Sequence, residues 1–436
     1  MTMMSRAPSI TPEGVFIPNA FPTVTYVERG QGYEQELSRY LRAPGSVVSV
    51  TGRSKSGKTV LAYRVIGADR LCSINCSLVT GPDQFWYEVL QRLGQPSEIQ
   101  VESSYGTTSE VAGATSGQIG VPLIASARGE ASASHATESA RSERSTRRAT
   151  TGVAIDLLIA SHKTLLLDDF HYLSPGLQRS LGRQLKDAAF RGVPIVILSV
   201  PHHDDDPVQA VPDLRGRVYA IQLASWNESE LREIASKGFT ALNIGFPEEA
   251  AGKLASESIG SPQLMQLLCL EVCNELDVRS PYPQRTEISV AEGQFNSVFR
   301  RASRTTNFTT LFRQLETGPR QRGTDRRRYS LRDGTEGDIY RVVLAAIASD
   351  PLLTTIPYSE LRRRVEVVCG GGATPTGQGI RGTVERMSEI ARAHGGAGSG
   401  QRDPAMEWLA ERGELVLPDA YFLFYLRWEA FPRHSV

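Results

Sequence analysis

Two short clusters of residues in this 436-residue chain are of the types and spacing that handle phosphate. The first is Gly52-Arg53-Ser54-Lys55-Ser56-Gly57-Lys58-Thr59-Val60, which follows the β-like run Ser46-Val-Val-Ser-Val50. Leu61, Val65 and Ile66 come next at helical spacing. Strand, G-x-x-x-x-G-K-T and helix in that order turn successive backbone N–H groups inward, at a helix end already carrying partial positive charge. The glycines permit the turn. Lys58 then reaches the β- and γ-phosphates as a point charge, and the Thr59 hydroxyl becomes a ligand for Mg²⁺. Residues 52–60 are therefore the expected nucleotide-binding set.

The second cluster is Thr164-Leu-Leu-Leu-Asp168-Asp169-Phe-His171, an apolar strand ending in two acids. Asp168 is expected beside the metal with Thr59, and Asp169 where it would act on an attacking water. The pair of motifs implies ATP and Mg²⁺ as ligands, and hydrolysis to ADP and phosphate. His171 is expected as a surface or packing residue.

The elements that must position these residues follow from the pattern. Residues 46–93 and 151–222 alternate apolar runs with helical stripes, the rhythm of a parallel sheet. Ser46 to Val50, Leu165 to Leu167 and Ile195 to Val200 read as strands. Phe85, Trp86, Val89, Leu90 and Leu93 form one helix stripe, and Leu177, Leu181 and Leu185 another behind the cap Ser174-Pro175. Residues 101–150 hold 30 Ser, Thr, Ala and Gly out of 50 and one aromatic, Tyr105. They read as an insertion, disordered or a loose hairpin, too poor in apolar groups to offset ordering entropy. From Lys58 to Asp168 is 110 positions, and removing the insertion leaves about 60, roughly one strand–helix–strand crossover with loops.

Totals narrow the class. The chain is 40% hydrophobic and 22% charged with net charge zero, as in ordinary globular proteins, so no global field recruits nucleic acid. The longest apolar runs, Val342 to Ala348 and Ala420 to Leu426, are far short of a membrane span. Neither a membrane partner nor a signal peptide is expected, and the cytoplasm is the default location. Cys72, Cys76, Cys269, Cys273 and Cys369 show no zinc spacing, and their odd number argues against a disulfide framework. No nuclease, protease, deaminase or TIR-like constellation is present, so any effector is another chain.

With these motifs in place, the core resembles the AAA+/STAND superfamily, nearest to the origin-recognition initiator and archaeal-ATPase branches. The resemblance covers about residues 16–275. It makes residues 52–59 the Walker A motif and Leu165 to Asp169 the Walker B motif. It places Ser199, at the end of Val193-Pro-Ile-Val-Ile-Leu-Ser199, as the sensor-1 tip near the γ-phosphate. Arg215 and Arg217 stand where an arginine finger would act on a neighbouring subunit's ATP, implying a homo-oligomer; a structural salt bridge at the sheet edge is the alternative for either. Trp226 to Leu231 resembles the first helix of a lid, with Ser225-x-x-Glu228 as its capping box. Gly260-Ser261-Pro262-Gln263-Leu264 resembles the sensor-2 turn, with Gln263 where many members carry arginine. Asp-Asp rather than Asp-Glu in Walker B leans toward STAND-type switches. Tyr26-Val-Glu-Arg29 resembles the element that packs near adenine.

The expected architecture is thus α/β: an entry segment (1–45), a P-loop, AAA+-like parallel-sheet ATPase core (46–222), a helical lid (223–299), a linker (300–335) and a small winged-helix-like domain (336–436). The linker is basic, with 10 Arg against Glu316, Asp325 and Asp333. In the last domain three helical stripes precede a Gly-rich tip (395–400) and a candidate hairpin, Leu415-Val-Leu-Pro followed by Tyr421-Phe-Leu-Phe-Tyr-Leu. By resemblance its third helix would enter a DNA major groove through Gln378, Arg381 and Arg386. The domain nevertheless carries 11 Arg and 13 Asp or Glu, a poor balance for binding phosphates. Two function classes fit these residues: an ATP-dependent DNA-binding ATPase of initiator or transposition-helper type, and a nucleotide-gated signalling or defence switch with a protein partner. Replacing residues 101–150 with a short Gly/Ser linker is expected to leave a folded, ATP-binding protein; loss of soluble expression would show that the segment packs against the core.

Overall fold

A computed structural model describes residues 10–94, 150–200, 211–214, 218–320, 325–396 and 404–432. The insertion through residue 149, both finger candidates Arg215 and Arg217, and residues 397–400 of the Gly-rich tip lie outside them. Thr150 itself begins a helix, 150–160, that belongs to the core.

Five parallel strands make the central sheet: β1 (Val47–Thr51), β2 (Leu71–Asn75), β3 (Thr164–Asp168), β4 (Ile195–Ser199) and β5 (Val218–Gln222), in the order β2-β3-β4-β1-β5. β1 pairs Thr51 with Ser199 on one side and with Gln222 on the other, so the chain leaves the sheet at its carboxyl edge from a central strand. All five β1 residues are buried, as expected for a parallel strand covered on both faces. The two-residue period of β3 sends Leu165 and Leu167 to one face and Leu166 to the other. The first face packs on helices 150–160, Pro82–Arg92 and Pro175–Phe190 through residues such as Leu158, Trp86 and Leu181. The second packs on Tyr33–Leu41 and Lys58–Ile66 through Leu37, Leu61 and Ile66. Beyond the three strands anticipated, β2 and β5 complete the sheet at its edges, where short mixed sequences give weak periodicity.

The lid is a helical unit whose core joins helices Glu228–Ala241, Glu248–Glu257, Pro262–Glu275 and Glu292–Arg304 with Val15, Phe16 and Val27 of the entry segment. Its first helix starts two residues later than expected. The capping box is Asn227 with Glu230: Glu230 N donates to Asn227 Oδ1 at 2.9 Å, and Asn227 N to Glu230 Oε2 at 3.0 Å. Ser225 instead gives its carbonyl to Arg29.

The C-terminal unit is winged-helix-like. Helices Ile339–Ile347, Tyr358–Val368 and Gly377–Gly396 surround a three-stranded sheet of Thr355–Pro357, Glu407–Leu409 and Glu414–Val416. Two expectations need correction here. The basic stretch is more than a linker, because helix Thr309–Thr317 inserts Leu311 and Leu315 into the core of this unit. The wing hairpin is formed by Glu407–Leu409 and Glu414–Val416, whereas Ala420–Tyr425 is α-helical and continues as a π-turn, Leu426–Ala430. A seven-residue apolar run has no periodicity that separates strand from buried helix. What decides is Asp419, whose carboxylate accepts from Tyr421 N at 2.9 Å and caps the helix.

That last helix reaches into the lid. Phe424 and Trp428 join the lid core, their rings 6.1 and 4.6 Å from the ring of Phe299. Arg427, 6% exposed, pairs with lid residue Glu257 at 2.6 Å and with Asp350 of its own unit.

Candidate functional site

A cavity of about 610 Å³ opens at the carboxyl edge of the sheet, between the entry segment, the loop after β1 and the lid. Ligand sites in open parallel sheets lie in this crevice because helix N-termini and strand ends converge there. Ser54, Lys55, Ser56, Gly57, Lys58, Thr59 and Val60 line it, together with Asp168 and Asp169. Gly52 and Arg53 of the expected set stand behind the loop and give their carbonyls to Lys58 Nζ at 3.0 and 2.8 Å. A methyl group on Gly52 would meet Ser56 Oγ at 3.0 Å and Leu223 at 3.1 Å, so any larger residue there would press on the loop. Gly57 has φ +95°, a conformation glycine adopts without strain, and caps the start of helix Lys58–Ile66. Burial pushes the Arg53 guanidinium pKa down.

Thr59 Oγ1 donates to Asp168 Oδ2 at 2.9 Å, which brings the helix start and the end of β3 together across the cavity floor. Two hard oxygen donors at this position suit Mg²⁺. Asp169 adopts φ +59°, and its amide donates to Asp168 Oδ1 at 3.0 Å, so the acid pair is held in a sharp turn. Cys76 lies close enough for both carboxylates, with burial as the larger cause, to push its thiol pKa up; it stays protonated and inert. Ser199 ends β4 opposite Thr51, fully buried, with no hydrogen-bond partner for its hydroxyl among the described residues; Val200, the next residue, lines the cavity. His171 is also buried, accepting from Val200 N at 3.3 Å and lying against the tilted ring of Tyr172, 4.1 Å away. It packs, rather than lining the cavity.

This arrangement decides the fold type. It is that of a five-stranded parallel α/β sheet with a phosphate-loop turn between β1 and helix Lys58–Ile66. No family model and no curated protein matches the sequence. Among solved structures the chain is similar to Cdc6p from Pyrobaculum aerophilum, at 12% identity over 95% of this chain and 96% of that one, with a TM-score of 0.40. It is similar to a Walker-type ATPase of Pyrococcus abyssi, at 11% identity over 92% and 96%, with a TM-score of 0.48. It is also similar to the Aeropyrum pernix Orc1 protein solved in complex with DNA, at 12% identity over 96% and 97%, with a TM-score of 0.44.

In this core, the far wall of the cavity is held by residues whose roles the sequence did not announce. Arg29 is buried at 6% exposure and clamps Glu230 through Nε at 3.1 Å and Nη2 at 3.2 Å. It also donates to the carbonyls of Ala224 and Ser225, and lies against the rings of Tyr33 and Trp226. Trp226 in turn donates its indole N–H to Ser56 O at 2.9 Å. The lid's first residues are thereby tied to both the entry segment and the phosphate loop. Gln266, 4% exposed, accepts from Ile17 N and donates to Thr25 Oγ1 at 2.6 Å, fixing the entry segment on the lid. Gln263, at the turn that resembles sensor 2, lines the cavity and donates to Asn19 Oδ1 at 3.2 Å. The sequence signal for Arg29 was its place in Tyr26-Val-Glu-Arg29; nothing in the sequence marked Glu230 as its partner.

Removing one member of a buried pair leaves the other charge uncompensated, at a cost of about 3–5 kcal/mol. Arg29→Met is expected to lose stability on that scale in urea unfolding, and Arg29→Met with Glu230→Gln to recover part of it. A loss below about 1 kcal/mol in the single variant would show that the clamp is not needed.

Proposed function

We propose that the chain binds ATP with Mg²⁺ in this cavity and hydrolyses it, working as an AAA+/STAND-type molecular switch. The observation that carries this reading is the Thr59–Asp168 contact at 2.9 Å on the floor of a cavity lined by the phosphate loop. Lys58 is the phosphate-binding cation, Thr59 and Asp168 the metal-holding oxygens, and Asp169 the residue that orients and deprotonates water. When bound, the metal would neutralise charge on the phosphates. Ile17, Tyr26, Ile234 and Pro262 form the apolar end of the cavity and suit an adenine base. The Trp226 and Gln263 contacts give the lid a direct way to respond to what the cavity holds.

The macromolecular partner we favour is a protein. Of the arginines that would meet DNA, Arg381 pairs with Glu385 at 3.2 Å, Arg386 with Glu389 at 2.8 Å, Arg326 with Asp338 at 2.7 Å and Arg328 with Glu336 at 3.5 Å, while Arg327 lies over the ring of Tyr329. Arg326 is held further by the carbonyls of Thr317 and Pro319. A phosphate backbone approaching the third helix at Arg381 and Arg386 would meet Glu385 and Glu389 beside them, and phosphate contacts dominate DNA affinity. Gln378 remains exposed there, and DNA binding is the reading this charge pairing disfavours.

ATP–Mg²⁺ at about 100 times Kd is expected to stabilise the native protein by about 2.7 kcal/mol, read as a rise in melting temperature. Lys58→Ala should abolish the rise, and Asp169→Asn should keep it while losing phosphate release. A full rise in Lys58→Ala, or wild-type turnover in Asp169→Asn, contradicts these assignments. Fluorescence anisotropy with duplex DNA at low salt is expected to show no ATP-dependent binding; a clear ATP-dependent rise would restore the DNA reading.

A further inference from the structure

The phosphate loop is gripped from outside its own domain. Lys55, at the apex of the loop, places Nζ 3.0 and 2.9 Å from the two carboxylate oxygens of Asp419, and 4.3 Å from the ring centre of Tyr421. Asp419 and Tyr421 belong to the C-terminal unit, more than 360 residues away in the chain. Lys55 also has φ +61°, an uncommon conformation for a residue with a side chain. The same residue lines the cavity proposed for the nucleotide. Its ammonium therefore stands between two anionic claims: the carboxylate it now holds and the phosphates that the loop is shaped to cradle.

We propose that Lys55 and Asp419 make the site sense the γ-phosphate, acting as a latch that ATP opens and ADP leaves closed. This rests on the nucleotide site described above. A γ-phosphate brought to the loop adds negative charge beside Asp419 and competes for Lys55. With ADP that competitor is missing, and the lysine stays on the carboxylate. Asp419 is well placed to transmit the difference because it is the cap of helix Ala420–Tyr425. That helix carries Phe424 into the lid core, and the turn that continues it carries Arg427 and Trp428 to Glu257 of the lid. Loss of the Lys55 contact thus loosens an element that touches phosphate loop, lid and C-terminal unit together. Asp419 is a positioning residue here: it acts on the nucleotide through Lys55.

Asp419→Asn and Asp419→Ser remove the charge while keeping a side chain able to cap the helix. Both should fold, with melting temperatures close to wild type in the absence of nucleotide. The probes are ATPγS–Mg²⁺ and ADP–Mg²⁺, with affinity read by calorimetry and amide exchange read over residues 420–430. In wild type, exchange is expected to be faster with ATPγS than with ADP. In both variants exchange should be fast with either nucleotide, and the preference for ATPγS over ADP should rise about tenfold, within the usual range of site-to-site coupling. If the variants match wild type in either the affinity ratio or the exchange pattern, the latch is overturned and the nucleotide site stands. If wild type binds neither nucleotide, the site falls and the latch with it.

Discussion

Everything on the cavity's far wall hangs on a buried guanidinium. Arg29 takes both oxygens of Glu230, two backbone carbonyls and the faces of two aromatic rings, so that four of its five N–H groups are bonded within the protein. Such a cluster is costly to leave incomplete, and it therefore fixes the distances among its members. Those members are the entry segment, the helix facing the sheet at Tyr33, and the first turn of the lid. Because Trp226 continues the cluster to Ser56 O, the wall is locked to the phosphate loop as well. A lid held by a few directional bonds to the loop it covers can change state when those bonds change, which a lid held only by apolar area cannot do as sharply.

The C-terminal helix supplies the second tie. Its cap meets Lys55, its middle places Phe424 in the lid core, and the π-turn after it buries Arg427 between Glu257 and Asp350. Sequence-distant charges meet at both ends. Bodies coupled in this manner move as a set, and nothing requires a linear path between them.

Much of the core was legible in the residues. Gly52, Gly57, Lys58 and Thr59 are constrained by backbone geometry and charge at fixed local spacing, and Asp168 and Asp169 by the end of an apolar strand. Local rules of this kind survive folding. Ser199 behaved differently: its position at a strand tip was readable, but whether its hydroxyl faces the cavity depends on the pleat, and it is buried beside Thr51. Ala420 to Leu426 read as strand because an apolar run with no period suits both states, and only the Asp419 cap and burial against two bodies chose helix. The lid's capping box slipped by two residues because Ser225 and Asn227 both fit the local pattern, while Arg29 claims Glu230 from about two hundred residues away. Partners at that separation leave no trace in spacing.

The central claim is that phosphates settle on the loop amides with metal at Thr59 and Asp168. A crystal structure of the Asp169→Asn variant with ATP and Mg²⁺ tests it most directly. Phosphate density is expected at the amides of residues 54–59, with a metal ion bonded to Thr59 Oγ1 and near Asp168, and the base between Tyr26 and Ile234. Nucleotide bound elsewhere, or a metal ion held away from both Thr59 and Asp168, would contradict it.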